Sequence, residues 1–536
     1  MRELRWWGAR VAPATLGGVL VAFLLAILGM AGEARAASSF ASGVAAGDVT
    51  SKSARIWTRA PEAGKVEAVL ATDKGLRKVV SRKELKAKES SDLTVQKRIG
   101  KLKPGRTYRY RFCQGGECSQ TGSFETAPGA NENAKVRFAY TGDADGTPLP
   151  GADEPFFGTF EAYGAMRDEN DDFNINLGDT IYSDSGVGGG APALSEEEKW
   201  AKYRQNLTQE NLRDLRKDTG LYSLWDDHEF INDFSIPEDG EALYEAGVGA
   251  FTDYAPVGYS SKDGLYENVR WGRNAELFFL DERSFRSAKA SDGGTCDNPA
   301  TGAPDLAPTA PPGRRSFFAI LIPSLANPVS QACKDAINDP DRTLLGEKQL
   351  EQFLEDVTTS NARWKIVINE TPIQQFYGLP YDRWEGYAYE RVMLLEELEQ
   401  AKVDHLAFLT TDTHAGFANI VRPRTFDNDV APTNAPPVAA DSPYQDFVVG
   451  PVATNTFWAE IDDTVETPGS GELLSQLFFK SDPPDGVGMF CAQGDQNSYG
   501  QVTVTKKKLK IEYKSEDGGP VSDVDDSICG PYTLTE

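Results

Sequence analysis

Four short segments of this chain carry side chains suited to gripping cations and a phosphoryl group: Thr-Gly-Asp143-Ala-Asp145-Gly, Gly-Asp179-Thr-Ile-Tyr182, Asp226-Asp227-His228-Glu229 and Asp412-Thr-His414. Carboxylates gathered in one place repel one another and resist ionisation unless a cation neutralises them, so such a set implies metal. Asp and Tyr oxygens are hard donors and imidazole is a borderline one, which matches Fe, Mn, Zn or Ca rather than soft copper, and a phenolate points toward ferric iron. The chain has only 3 histidines, and two of them, His228 and His414, fall in these segments. His228 is expected to face a phosphoryl oxygen, stabilising transition-state charge or protonating the leaving group. His405, just ahead of an apolar run, reads as structural.

Elements that would position these groups are legible beside them. Apolar runs at 136–140, 173–177, 221–225 and 406–409 each lead directly into one of the four segments, and further strands are expected at 364–368 and 276–280. Apolar residues recur every three or four positions at 346–357 and 390–400, the mark of helices. Strands alternating with helices predict a layered α/β domain, and in such sheets ligands bind beyond the carboxyl ends of the strands, so the four loops should converge. Ahead of this region, residues 40–126 alternate over short runs such as 54–58, 66–70 and 107–112 with turns between them, which predicts a small β-sandwich of immunoglobulin or fibronectin type. Residues 127–131, Ala-Pro-Gly-Ala-Asn, have linker composition. Pro/Gly-rich stretches at 186–192, 298–313 and 431–443 read as surface loops or insertions, one of which suits a lid.

At the N-terminus Arg2, Arg5 and Arg10 precede an almost uncharged run over 16–31 and then the small residues Ala36 and Ala37. This predicts a signal peptide over 1–36, cleaved to release the remainder outside the cytoplasm with no remaining membrane span. Six cysteines accord with export. Cys113 and Cys118 flank a turn, Cys296 and Cys333 bracket a proline-rich stretch, and Cys491 and Cys529 remain for each other, although spacing alone does not set connectivity. A formal charge of −26, from 55 Lys plus Arg against 81 Asp plus Glu, disfavours a nucleic-acid scaffold binder. Small phosphate esters remain open where cations reverse the local sign; nothing in the sequence sets the oligomeric state.

In order, the segments Gly-Asp179-Thr-Ile-Tyr182, Asp226-Asp227-His228-Glu229 and Asp412-Thr-His414 resemble the PhoD-like alkaline phosphatases, relatives of the purple acid phosphatases among the calcineurin-like metallophosphoesterases. Gly43-Val-Ala-Ala-Gly-Asp48 with Ile56-Trp57-Thr58-Arg59 is similar to the β-sandwich that precedes the catalytic domain there, and Asp281-Glu-Arg283-Ser-Phe-Arg286 to an Asp-x-Arg-x-x-Arg segment. The resemblance implies a four-layer αββα sandwich over 133–536 behind an N-terminal β-sandwich over 38–128. It implies Asp179 as the carboxylate bridging two metals, Tyr182 as a phenolate on ferric iron, Asp227 on the second metal, His228 facing phosphate, and Asp412 and His414 in the last metal-binding loop. Asn369 is a second-metal ligand, a phosphate contact or a plain strand end; Arg283 and Arg286 are phosphate contacts or structural ion pairs. Asp143 stands where this family usually has cysteine, which hardens the site, and Asp145 stands where many metallophosphoesterases have histidine, as a ligand, an acceptor behind the ligands or neither.

The implied chemistry is hydrolysis of phosphate monoesters, with diesters as a possible extension, through Fe3+ with Ca2+, or alternatively Zn2+ or Mn2+. Two rivals are a phospholipid- or nucleotide-directed phosphodiesterase and a non-catalytic, calcium-loaded secreted binding protein.

Overall fold

The computed structural model describes residues 39–426 and 441–535. The signal peptide expected over 1–36 lies outside the described residues, as does most of the 431–443 stretch. No helix among the described residues is long and apolar enough to cross a membrane.

Two mixed sheets stack face to face. In the first, of nine strands, Val136–Thr141, Phe173–Leu177 and Gly220–Leu224 run parallel at the centre. Ser498–Val504, Lys508–Ser515 and Tyr532–Thr535 extend it on one side by antiparallel pairing. In the second, of seven strands, Ala275–Phe279, Trp364–Ile368, Leu406–Thr410 and Gln445–Val448 run parallel. Every residue of Phe173–Leu177, Trp364–Ile368 and Leu406–Thr410 is buried, because parallel strands are covered on both faces.

Alternation along these strands decides which layer each side chain enters. Trp364, Ile366 and Ile368, with Ala407, Leu409, Leu277 and Phe279, point inward to the shared core, where they meet Phe138, Phe173 and Ile175 of the other sheet. Val367, Leu406, Phe408 and Phe278 point the opposite way, onto Phe353, Val357, Leu394 and Leu398 of helices Glu347–Thr359 and Ala388–Gln400. The outer face of the nine-stranded sheet is covered in turn by helices that include Glu161–Asp168 and Glu210–Asp218, the first joining through its Tyr163 hydroxyl to Asn176 of the central strand. The result is the expected αββα order of layers. Expected and observed strands agree to within a residue or so; Gly220–Leu224, for example, begins one residue earlier than 221.

Strands of the N-terminal segment divide between two sheets. Gly64–Ala71, Val79–Ala87, Thr107–Gln114, Glu117–Cys118 and Gly122–Glu125 form a small antiparallel sheet. Val44–Gly47, Ala54–Arg59 and Thr94–Ile99 instead extend the nine-stranded sheet, with Val44–Gly47 lying parallel to Gly220–Leu224. This covers what would otherwise be an open edge beside the site. Cysteines pair as Cys113–Cys118, Cys296–Cys333 and Cys491–Cys529.

Candidate active site

Because the central strands of both sheets are parallel, their carboxyl ends come out along one side of the sandwich, and the four segments meet there. Asp143 follows Val136–Thr141, Asp179 follows Phe173–Leu177, Asp227 and His228 follow Gly220–Leu224, and Asp412 and His414 follow Leu406–Thr410. The two sheets are tied at this rim by Thr411, whose hydroxyl donates to the Leu177 carbonyl at 3.0 Å.

The turns are tight. Asp143, Asp179, Asp412 and His414 all have positive φ, between 48° and 71°. Such left-handed residues cost energy and cluster where function needs them, and Asp accepts the conformation better than most. Gly178 has φ 104°, and a Cβ there would lie 2.6 Å from Cβ of Asp226, so only glycine lets the two loops approach.

Asp143, Asp179 and His414 offer ligand atoms within 4.8 Å of one another, and so do Asp179, Asp227 and His228, which makes Asp179 common to both groups. Tyr182 joins them: its hydroxyl is 2.9 Å from Nε2 of His414, and its ring stacks on His228 at 4.0 Å. Neither carboxylate oxygen of the buried Asp143 has a hydrogen-bond partner. Gly450 leaves the space beside it open, since a Cβ there would sit 2.5 Å from Asp143 Oδ2. Buried acceptors left bare are costly, and a cation is the natural partner for them.

Electrostatics agree. Burial, then the charges of Asp227 and Asp226, pushes Asp179 well above the usual carboxylate range. Burial likewise raises Asp143 and Asp412. Tyr182 is held as a phenol by burial and by Asp179 and Asp143. Each of these shifts is what a site built for cations looks like when only its own charges act. The donor set of carboxylates, a phenol and imidazoles therefore fits metal ions.

Several supporting residues were not singled out from sequence. Asp184 accepts from Nδ1 of His228 at 2.6 Å, and Glu460, on helix Phe457–Val465, pairs with Nδ1 of His414 at 2.9 Å. Glu229 accepts from the Thr180 and Asp226 backbone amides at 2.6 and 2.8 Å, locking two of the four loops together. Asp233 and Asp382 form a third acidic group with Asp227. Glu229 stands inside a recognised segment, whereas Glu460 and Asp382 carry no local pattern that marks them.

Arg283, Arg286, Asn369 and Asp145, each given two or more readings from sequence, are engaged by other groups of the protein. Arg283 is fully buried, bonded to Asp226 at 2.6 Å and Asp382 at 2.7 Å, and Arg286 is held by Asp382 at 2.8 Å and by Tyr387. Both pair with buried acids, the ion-pair alternative of the two expected, and neither lines the cleft, although their shared partner Asp382 does. Asn369 faces away as well, donating to the Thr371 carbonyl at 2.6 Å and accepting from Trp384 at 3.2 Å. Asp145 does line the cleft, but accepts from Ser185 at 2.5 Å and the Thr147 amide at 2.9 Å.

Two stacked sheets with acidic strand ends on one rim are the architecture of the metallophosphoesterases. Residues 149–510 match the family model described as PhoD-like phosphatase, and residues 28–128 match that of the PhoD-like phosphatase N-terminal domain. The chain belongs to the PhoD-like phosphatase family and is a phosphatase. It is 26% identical over 438 residues to alkaline phosphatase D of Bacillus subtilis (strain 168), covering 72% of this chain and 67% of that protein. Its fold is similar to the solved structure of PhoD, with TM-score 0.67 at 22% identity over 92% of this chain and 89% of that one. It is also similar to purple acid phosphatase PPD1 from yellow lupin (Lupinus luteus) seeds, with TM-score 0.52 at 12% identity over 92% and 73%.

Proposed function

We propose that this phosphatase is secreted and metal-dependent, and that it hydrolyses phosphate monoesters, with diesters as a second class, by direct attack of water. The observation that carries the reading is the sharing of Asp179 between two donor groups beside the bare carboxylate of Asp143. Asp143, Asp179, Tyr182, Asp227, Asp412 and His414 would hold the cations, with Asp179 common to both donor groups. Asp145, its oxygens engaged by Ser185 and Thr147, braces the loop between them. The hard donors favour Fe3+ with Ca2+; Zn2+ or Mn2+ would satisfy the same set. When bound, such ions supply Lewis acidity toward phosphoryl oxygens and lower the pKa of water in the site.

His228 handles the proton. Asp184 holds its Nδ1, leaving Nε2 for a ligand, Tyr182 stacks on its ring, and the residue lines the cleft. Burial opposes its charge, while Asp227 and the Asp184 carboxylate bonded to Nδ1 favour the protonated form. As water adds to phosphorus and the P–O bond to the alcohol breaks, His228 donates that proton to the departing oxygen. Secretion is supported by three disulfides, which persist in oxidising compartments.

The test is metal analysis and a visible spectrum of the purified protein alongside p-nitrophenyl phosphate hydrolysis, before and after chelation. A tyrosinate-to-iron band with chelator-sensitive turnover is expected. Calcium alone with no turnover would favour the calcium-loaded binding protein.

A further inference from the structure

The cleft above the acidic cluster encloses about 1010 Å3, large for a small-molecule site. Its floor is polar, but its walls are not. Phe376 and Phe457 line the interior, and four large apolar side chains stand exposed on its lining: Leu149 at 45%, Phe156 at 54%, Leu321 at 37% and Leu379 at 48%. A single exposed apolar side chain needs no explanation. These four come from three separate loops, the first two from the one following Val136–Thr141, Leu321 from the segment closed by Cys296–Cys333, and Leu379 from the one following Trp364–Ile368, yet all line one cleft. Contiguous apolar surface that continues from a polar reaction centre marks where an apolar ligand lies.

Charge narrows the ligand further. Arg383 is the one Lys or Arg among the described lining residues, and its guanidinium is already bonded to the carbonyls of Gly378 and Leu379. Asp184, Asp233, Glu460 and Asp463 line the same cleft. A second phosphate, as in a nucleoside polyphosphate or a sugar bisphosphate, would meet acids there without a free cation.

We propose that the preferred substrates are amphiphilic phosphate esters, with a neutral hydrocarbon arm lying along this apolar wall while the phosphoryl group sits at the acidic floor. This rests on the phosphatase reading above and adds the substrate class. Moving each methylene of the arm out of water favours binding by hydrophobic transfer.

The test measures kcat/KM for two homologous series, n-alkyl phosphates and n-alkyl p-nitrophenyl phosphates, from butyl to dodecyl and below their micelle concentrations. Chain length beyond butyl leaves the chemistry at phosphorus unchanged. In whichever series is turned over, kcat/KM should rise by about two- to fourfold per methylene until the wall is covered. In Phe156→Ser and Leu379→Ser, both at exposed positions, the slope of log(kcat/KM) against chain length should fall by about half. A flat dependence in the wild type, or slopes unchanged in both variants, would overturn the proposal while p-nitrophenyl phosphate hydrolysis persists. Loss of p-nitrophenyl phosphate hydrolysis itself would strike at the metal-dependent phosphatase reading instead.

Discussion

His228 and Asp184 form a closed pair: Nδ1 of the imidazole lies 2.6 Å from the carboxylate, and the same carboxylate's other oxygen accepts the Asn232 amide at 2.7 Å. The ring is thereby fixed in orientation, with Nε2 as the nitrogen left for a ligand. Removing such a partner typically costs about 10–100-fold in activity. Asp184→Ala should therefore lower kcat by that order with a much smaller change in KM, and Asp184→Glu should recover part of it. If His228 protonates the leaving group, both Asp184→Ala and His228→Gln should lose more activity with alkyl phosphates than with p-nitrophenyl phosphate, whose phenolate departs unaided. Equal losses on the two substrates would remove His228 from that role.

Asp179→Asn removes the carboxylate common to both donor groups. Hydrolysis should fall by at least about a thousandfold, the scale on which several kcal/mol of charge stabilisation is lost. Metal content should drop with it. In chelated protein the variant should be at least as thermostable as the wild type, because one of several mutually repelling buried carboxylates is gone; thermal melts with and without chelator read both effects.

Arg283 offers a contrast, since it pairs with Asp226 and Asp382 and does not itself line the cleft. Arg283→Ala leaves buried acids unpaired and should destabilise the protein by about 3–5 kcal/mol in denaturant titrations. In the fraction that remains folded at low temperature, KM for p-nitrophenyl phosphate should stay within a fewfold of wild type. A selective rise in KM without loss of stability would return Arg283 to phosphate binding.

A pH dependence of stability follows from Asp171, which is remote from the cluster. Its side chain is fully buried, accepts from Gln501 at 3.0 Å and lies 3.5 Å from Arg137. Burial raises it to about 7, further helped by Glu169 and Asp172 and only partly opposed by Gln501 and Arg137. Between its unfolded value near ~3.9 and about 7 the folded state therefore holds a proton that the unfolded chain has released. Its stabilising contribution is fully present below the unfolded value and is lost as pH rises through about 7. Asp171→Asn should flatten this component, gaining on the wild type at pH 8 relative to pH 5 when denaturation midpoints are compared.

The site was legible where chemistry and secondary structure coincide. Asp143, Asp179, Asp227, His228, Asp412 and His414 each follow an apolar strand, and parallel pairing brings strand ends together whatever the length of chain between them. Alternation identified the N-terminal strands but not their partners, because period-two patterning reports a buried face and says nothing of which edge is hydrogen-bonded. Hence Ala54–Arg59 was legible as a strand and not as a member of the nine-stranded sheet. Arg283 and Arg286 were legible as cations near a strand end, yet the acid that claims both, Asp382, lies on a distant loop. Glu460 is a surface carboxylate like many others on this acidic chain until the fold sets it against His414.

The donor groups are contributed by two different sheets, with Asp143, Asp179 and Asp227 on one and Asp412 and His414 on the other. Neither sheet alone carries the whole donor set, so any opening of the seam between them would release bound ions before either sheet melts. Ion retention thus reports on the closure of this interface more sensitively than bulk unfolding does. On the metal-dependent reading, where the ions are scarce the working fraction of the enzyme would follow their activity in the medium rather than the amount of folded protein.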